Sequence, residues 1–357
     1  MENSGPVSAR EKLETPALGE APLDDELVLE TIPGAVDYLV ESLQPSADGN
    51  LRVVRRTDAA ALIEVHGPLS RVLQSRFFSA AGVYLGPAQL GAQGQFHELD
   101  ARLQSSMTRG ALELIGGQGH ALRFRVGPVG SRRWEVRDHL LATYGWVNEA
   151  GAWDVNIEQR GPWLTGQLAR LFHSRRFPAL ERAPVTSNPV MAAVLVRIAK
   201  VRRGQVVYDP FCGTGTILIE AGLAREVTLL GSDIARGLLP LARRNAALLG
   251  VPASFAAADA THLPIRDASI DRLISNLPFG KRVGSHEDNT RLYPAFLTEL
   301  RRVLAPDGRA VLLSDDKRLF RESVDRARLR IVKETLLASG GLHPTAFVVL
   351  HRRPRRR

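Results

Sequence analysis

Val206-Val207-Tyr208-Asp209-Pro210-Phe211-Cys212-Gly213-Thr214-Gly215-Thr216 runs on into the apolar segment Ile217 to Leu223. An apolar strand ends at a carboxylate, a tight turn carries Gly213 and Gly215, and a helix begins. Glycine lets the backbone take positive φ and approach a ligand closely. The helix start then offers free N–H groups and a positive dipole end to an anionic group. The dinucleotide fingerprint is excluded, because its third glycine is missing and Asp209-Pro210 precedes the turn.

Outward from this loop, strands and helices alternate after Pro189, which predicts a doubly wound, mostly parallel sheet over residues 189–350. Val227 to Gly231 reads as a second strand ending at Asp233, where an acid binds ribose hydroxyls. Pro252 to Ala258 reads as a third, ending at Asp259-Ala260, where a carboxylate can accept from an adenine amino group. Asp209, Phe211, Gly213, Gly215, Asp233, Asp259 and Ala260 are therefore the candidate cofactor contacts, edging one crevice at the strand ends. A lone aspartate in such a place is often a turn former or helix cap. Three in register with a glycine loop are not.

Ile270 to Ile274 reads as the fourth strand, followed by Ser275-Asn276-Leu277-Pro278-Phe279-Gly280. An exocyclic amine is a poor nucleophile because its lone pair is delocalised into the ring. The Asn276 side-chain carbonyl and a backbone carbonyl of Leu277-Pro278 can accept its two N–H groups and turn the lone pair toward a methyl donor. Pro278 fixes the backbone and Phe279 can stack on the base, so catalysis is largely positioning. A base inside a helix reaches such a site only when flipped out. Alone, Asn-x-Pro is a common turn; after the cofactor signals it reads as a methyl-transfer site.

The N-terminal half has a different grammar. Residues 1–25, with Pro6, Pro16, Gly19 and Pro22, read as a disordered lead-in. Residues 26–97 read as strand–helix–strand–strand–helix–strand, a split ferredoxin-like unit. Residues 98–172 open with one long helix, Glu98 to Ile115, continue with strand His120 to Val126 and helix Trp134 to Trp146, and close with the hairpin pair Trp153 to Glu158 and Trp163 to Leu168. Residues 173–188 read as a linker and 351–357 as a basic tail.

Lys and Arg number 47 against 38 Asp and Glu, for a net charge of +9 over 357 residues, a field that attracts polyanions. Nearly all the positive charge is arginine, which a GC-rich genome also enriches, so charge nominates a nucleic acid without proving one. Arg123, Arg125, Arg132 and Arg133 in the N-terminal half, and Lys281 and Arg282 after the tetrad, are the candidate RNA contacts; a solvated face is the other reading. His286 and Arg291, just beyond, could likewise hold RNA phosphates around the flipped nucleotide or belong to an ordinary solvated loop, and a lone histidine is usually structural. The single cysteine, Cys212, excludes an internal disulfide and a multi-cysteine zinc site, no metal is expected, and the thiol reads as a packing residue. No signal peptide or membrane span is read, so a cytoplasmic location is expected, and the chain is expected to be a monomer.

On the residues 209–216 and 276–282 the chain resembles the THUMP-domain tRNA guanine-N2 methyltransferases. The resemblance covers about residues 26–350, specific in the catalytic half and topological in the rest. It implies an N-terminal α+β ferredoxin-like domain, a THUMP domain gripping the acceptor end of tRNA, a Rossmann-like methyltransferase domain, and S-adenosylmethionine as cofactor. Asp209, Gly213 and Gly215 would line the methionine part, Asp233 the ribose, Asp259 the adenine, and Asn276 to Phe279 the base. Leu277 replaces the first Pro of the commoner Asp/Asn-Pro-Pro-Tyr/Phe form, which favours the acceptor-stem subgroup over the D-arm subgroup. An rRNA guanine-N2 methyltransferase and a catalytically inactive RNA-binding protein remain the alternatives.

Overall fold

The computed structural model describes residues 22–43, 50–91, 95–116, 121–172, 180–183, 186–278, 286–338 and 341–352. The expectations for the lead-in up to residue 21, for most of the linker at 173–179 and 184–185, for Phe279, Lys281 and Arg282, and for the tail from 353 lie outside the described residues. The chain divides into two compact units at Ala179/Leu180.

In the N-terminal unit, β1 (Pro22–Glu30), α1 (Val36–Ser42), β2 (Leu51–Arg56), β3 (Ala60–Pro68), α2 (Ser70–Gln74) and β4 (Ala80–Pro87) follow the order read from the sequence. They pair antiparallel as β2-β3-β1-β4. The chain continues through α3 (His97–Gln104), α4 (Ser106–Gly116), β5 (Arg123–Val126), α5 (Arg133–Tyr144), β6 (Val147–Asn148), β7 (Val155–Arg160) and β8 (Trp163–Leu168). β8 pairs with β4, so one eight-stranded sheet, β2-β3-β1-β4-β8-β7-β5-β6, runs through both expected segments. A Cβ at Gly82 would lie 2.9 Å from the Gln167 backbone, so that junction needs glycine. Leu27, Ile63, Val83, Phe124 and Val155 share one buried core across it.

Two details differ from the sequence reading. The first strand, read from the sequence as the short run Leu27 to Leu29, begins already at Pro22, pairing with Pro68 of β3. Leu23, Leu27 and Leu29 face the core, but buried Asp25 takes the slot between them and breaks the apolar alternation. Burial pushes that carboxyl above its ordinary range. The long helix expected over 98–115 is two helices, because Ser105 is extended (φ −61°, ψ 143°) and its Oγ accepts from Thr108 N at 3.1 Å as an N-cap.

The C-terminal unit contains α6 (Pro189–Ala199), β9 (Val206–Asp209), α7 (Thr216–Ala224), β10 (Thr228–Asp233), α8 (Leu239–Leu248), β11 (Ser254–Ala257), β12 (Ile270–Asn276), α9 (His286–Val303), β13 (Leu304–Ser314), α10 (Lys317–Arg326), β14 (Leu329–Leu336) and β15 (Thr345–His351). The sheet order is β11-β10-β9-β12-β13-β15-β14, parallel except around β15. This is the expected doubly wound, mostly parallel sheet.

Side chains alternate across it. Tyr208, Ala310, Leu312 and Phe347 share a core with Tyr293, Phe296 and Leu300 of α9 and Phe320 of α10. The opposite face carries α6, which packs on β12, β13 and β15 and buries all its residues but Arg197. Asn188 caps α6, its Oδ1 accepting from Val190 N at 2.8 Å, with Pro189 at the first position. Among the described residues no helix is long and apolar enough to cross a membrane.

Candidate active site

Asp209 ends β9, Asp233 ends β10, Asn276 ends β12, and Asp259 follows β11 by two residues. Because these strands are parallel, their carboxyl ends share one sheet edge, where the order reverses between β9 and β12. They border a cavity of about 810 Å³.

Asp209 is 1% exposed, and its Oδ1 accepts from Phe211 N at 3.0 Å and Ser275 Oγ at 2.6 Å. Burial pushes its carboxyl up to about 7. Its bonds tie the tip of β9 to the tip of β12. Asp233 takes Gly213 N on Oδ2 and Ala235 N on Oδ1, both at 2.9 Å, which draws the glycine loop onto the second strand. Cys212 N donates to Ser232 O at 2.9 Å, fastening the same loop. Gly213 has φ +50°, and a Cβ there would meet nothing within 4 Å, so the loop leaves open space beside the cavity it lines. Gly215 (φ +85°) does not line the cavity. It starts α7, and a Cβ there would press on Phe255 at 3.3 Å, so its part is turn and packing.

Asp259 accepts from Thr261 N and Thr261 Oγ1 on the same Oδ1, each at 2.8 Å, and the backbone bond above all holds its carboxyl below the usual range. An ionised acceptor suits an amino group. Phe211 and Ala260 line the cavity beside these carboxylates, and Phe211 packs edge-on to Phe296 at 5.1 Å between centroids. Cys212 is buried, and burial pushes its thiol up, so it is an inert packing group.

The tip of β12 carries the remaining chemistry. Asn276 Nδ2 donates to Ser187 Oγ at 3.1 Å, while Asn276 Oδ1 is buried without a hydrogen-bond partner among the described residues. Leu277 N donates to Leu313 O at 3.1 Å, extending the strand by one bond. Pro278 O accepts from both Asn289 Nδ2 at 3.0 Å and Tyr293 Oη at 2.8 Å. Asn276, Leu277 and Pro278 all line the cavity.

The sequence reading missed several neighbours. Ala183, Thr186, Ser187 and Asn188, read as linker, line the cavity. Thr186 Oγ1 contacts Thr214 Oγ1 at 3.1 Å, and Asn245 Nδ2 reaches both Glu181 O and Thr214 O. The Asn188-Pro189 cap was the available signal that this segment ends at a defined place. Asn289 and Tyr293 lie one helical turn apart on α9, as do Tyr293 and Phe296, but nothing in that spacing tells a loop anchor from core.

The arginines of the N-terminal unit fall into two groups. Arg123 is bound twice to Asp154, at 3.1 and 2.8 Å. Arg132 donates to Glu135 and to Gly91 O and stacks over Phe96. Arg125 lies over Trp153 at 4.3 Å. Arg133 and Arg137 flank Trp134, which is 59% exposed.

Comparison with known proteins places these features. The family described as "RMKL-like, methyltransferase domain" matches residues 178–345. The tRNA (guanine(6)-N2)-methyltransferase of Thermus thermophilus is 35% identical over 89% of this chain and 97% of its own length. The mouse tRNA (guanine(6)-N(2))-methyltransferase THUMP3 is 32% identical over 46% of this chain, a match that spans 36% of the mouse protein. The crystal structure of TrmN from Thermus thermophilus superposes with a TM-score of 0.69 at 27% identity, covering 92% of this chain and 99% of that one. A possible methylase from Clostridium difficile 630 shares the fold with a TM-score of 0.67 at 16% identity over 94% of this chain and 100% of that one.

Proposed function

The chain belongs to the tRNA guanine-N2-methyltransferase family, and on that premise we propose how its residues carry out S-adenosylmethionine-dependent methylation of guanine N2 in tRNA. The cofactor supplies an electrophilic methyl group carried on a sulfonium. Its methionine part fits the Phe211–Gly213 loop, where the open side of Gly213 faces a ligand. Asp233 is the acceptor for ribose hydroxyls and Asp259 for the adenine amino group, supported by their places at neighbouring strand ends on one cavity. Asp209 borders the same cavity and, by accepting from Phe211 N and Ser275 Oγ, also holds β9 and β12 together.

The target amine is gripped at the tip of β12. Pro278 O already receives two donors, which leaves Asn276 Oδ1 and Leu277 O to accept the two N2–H groups. Fixed this way, the nitrogen lone pair points along the line of methyl transfer, and rate comes from orientation. The observation that carries the reading is Asn276 Oδ1, a buried acceptor without a donor among the described residues, beside the cofactor crevice. Leaving such an oxygen unmatched costs on the order of 1–3 kcal/mol, which an incoming N–H recovers.

The modified guanosine lies in the acceptor stem. The bacterial relative that matches nearly end to end carries guanine(6) in its name, whereas the tRNA (guanine(10)-N2)-dimethyltransferase of Methanothermobacter thermautotrophicus matches 35% of this chain. Residues 26–97 and 98–172 serve as ferredoxin-like and THUMP segments that hold the RNA, and one chain works alone in the cytosol.

The test is to incubate the protein with methyl-labelled S-adenosylmethionine and tRNA transcripts, digest to nucleosides and map the label. Label in N2-methylguanosine of the acceptor stem is expected. Label confined to another nucleoside, or transferred to ribosomal RNA and not tRNA, overturns the proposal. Asp233→Ala should weaken cofactor binding tenfold or more without weakening tRNA binding, since about 1.4 kcal/mol per tenfold is within reach of one lost contact.

A further inference from the structure

Asn289, in the first turn of α9, is 1% exposed and lines the same cavity as Asn276. Its Nδ2 donates to Pro278 O, and its Oδ1 is buried without a partner among the described residues. The orientation of this amide is not interchangeable. Pro278 O is an acceptor only and is shared with the Tyr293 hydroxyl, so the NH2 group must face it. The carbonyl oxygen is therefore the atom left over, a second acceptor lacking a donor among the described residues on the cavity that Asn276 lines.

We infer that Asn289 Oδ1 accepts the N1–H of the target guanine and so selects guanine over purines whose N1 carries a lone pair. The inference rests on the guanine-N2 reading above. Guanine presents three donor hydrogens along one edge, two on N2 and one on N1. Asn276 Oδ1 and Leu277 O take the first two, and the second orphaned amide oxygen matches the third. A purine with an unprotonated N1 would set a lone pair against Asn289 Oδ1 and leave both unsatisfied, which a buried polar site rejects strongly. Because the same side chain braces Pro278 through Nδ2, base selection and loop geometry meet in one residue. Tyr293 braces Pro278 O without offering the base an acceptor, and is a positioning residue alone.

The test uses a tRNA transcript methylated by the protein and the same RNA with its target guanosine replaced by 2,6-diaminopurine. That base keeps the N2 amine but has a lone pair at N1. Wild type should favour guanosine by at least about 100-fold in kcat/KM. Asn289→Ala should bring the ratio within about tenfold, chiefly by losing rate on guanosine. Tyr293→Phe should slow both substrates alike and leave the ratio unchanged. Asn289→Ser, which draws the oxygen back from the base, should narrow the ratio as the alanine does and decides the matter if the alanine variant does not fold. Equal use of both RNAs by wild type, or an equal loss on both in the folded Asn289 variant, overturns the inference while leaving guanine-N2 methylation standing. No transfer to the guanosine transcript removes both.

Discussion

In the N-terminal unit Arg123 closes on Asp154 through two side-chain bonds, whereas in the C-terminal unit Asn276 and Asn289 each keep a carbonyl oxygen without a donor. Arg160 likewise pairs with Glu30 and Glu158, and Arg132 with Glu135. Buried polar atoms without a partner among the described residues occur in the first region too, Asn156 Oδ1 for one, but Asn276 and Asn289 line a cavity and Asn156 does not. Those at the β12 tip are braced on one side only, so their other side is available to a substrate. A buried polar atom without a partner is costly, and where its residue also lines a cavity at the strand ends an incoming donor can satisfy it. Charge alone makes no such mark, since a paired arginine is already spent on the fold.

The sharpest way to break this contrast is Asn276→Ala. If its Oδ1 orients the target amine, methyl transfer falls by at least about 100-fold while cofactor binding is kept, as for loss of a positioning contact. Turnover within a fewfold of wild type, measured under single-turnover conditions, would show that the orphaned oxygen has no part in the reaction.

Asp209 tests the other side of the contrast, a site residue whose oxygen is already engaged. Its folded pKa lies at about 7 against 3.8 for a free aspartate, through burial. The folded protein therefore holds a proton that the unfolded chain releases. The stabilisation this gives is complete below about 3.8 and is lost as pH rises through about 7. Asp209→Asn keeps an acceptor for Phe211 N and Ser275 Oγ and carries no titration. The melting temperature of the variant relative to wild type should rise between pH 5 and pH 8, by the equivalent of about 1–3 kcal/mol. A difference that is flat with pH would mean that the carboxyl is not buried in this way.

The sequence made the C-terminal site legible because its contacts run through backbone and fixed spacing. Asp209, Gly213 and Asp233 are joined by main-chain N–H groups, so strand, loop and helix lengths leave a readable pattern. Ser187 and Asn289 were not legible, since each reaches the tetrad from 89 and 11 residues away in a segment with no motif of its own. The same holds for the N-terminal arginines. Arg123 and Arg133 look equivalent in the sequence, and only Asp154, 31 residues beyond Arg123, separates them. Asp25 shows the limit for strands, because one buried acid interrupted the alternation that would have placed the start of β1.

Arg123→Ala follows from this as the next largest effect. Asp154 is 7% exposed and would lose both guanidinium bonds, keeping the Arg123 backbone N–H at 3.0 Å. A loss of about 1–3 kcal/mol in stability is expected in denaturant melts. A change below about 0.5 kcal/mol, the range of ordinary surface substitutions, would show that the pair is not structural.

The smallest effect on stability should come from Arg133→Ala. Its guanidinium sits over Trp134 at 5.3 Å, and that ring stays exposed. An exposed cation–π contact contributes about 0.5–1 kcal/mol at most, and Arg137 at 4.6 Å remains over the same ring, so melting should scarcely move. What should change is RNA binding. If Arg133 meets a tRNA phosphate, its removal should weaken affinity fewfold and lower the slope of log affinity against log salt by about one. Arg123→Ala, once its stability loss is allowed for, should leave that slope alone, because its charge is already matched by Asp154. Equal salt slopes for wild type and Arg133→Ala would break the division between arginines that hold the sheet and arginines that meet the RNA.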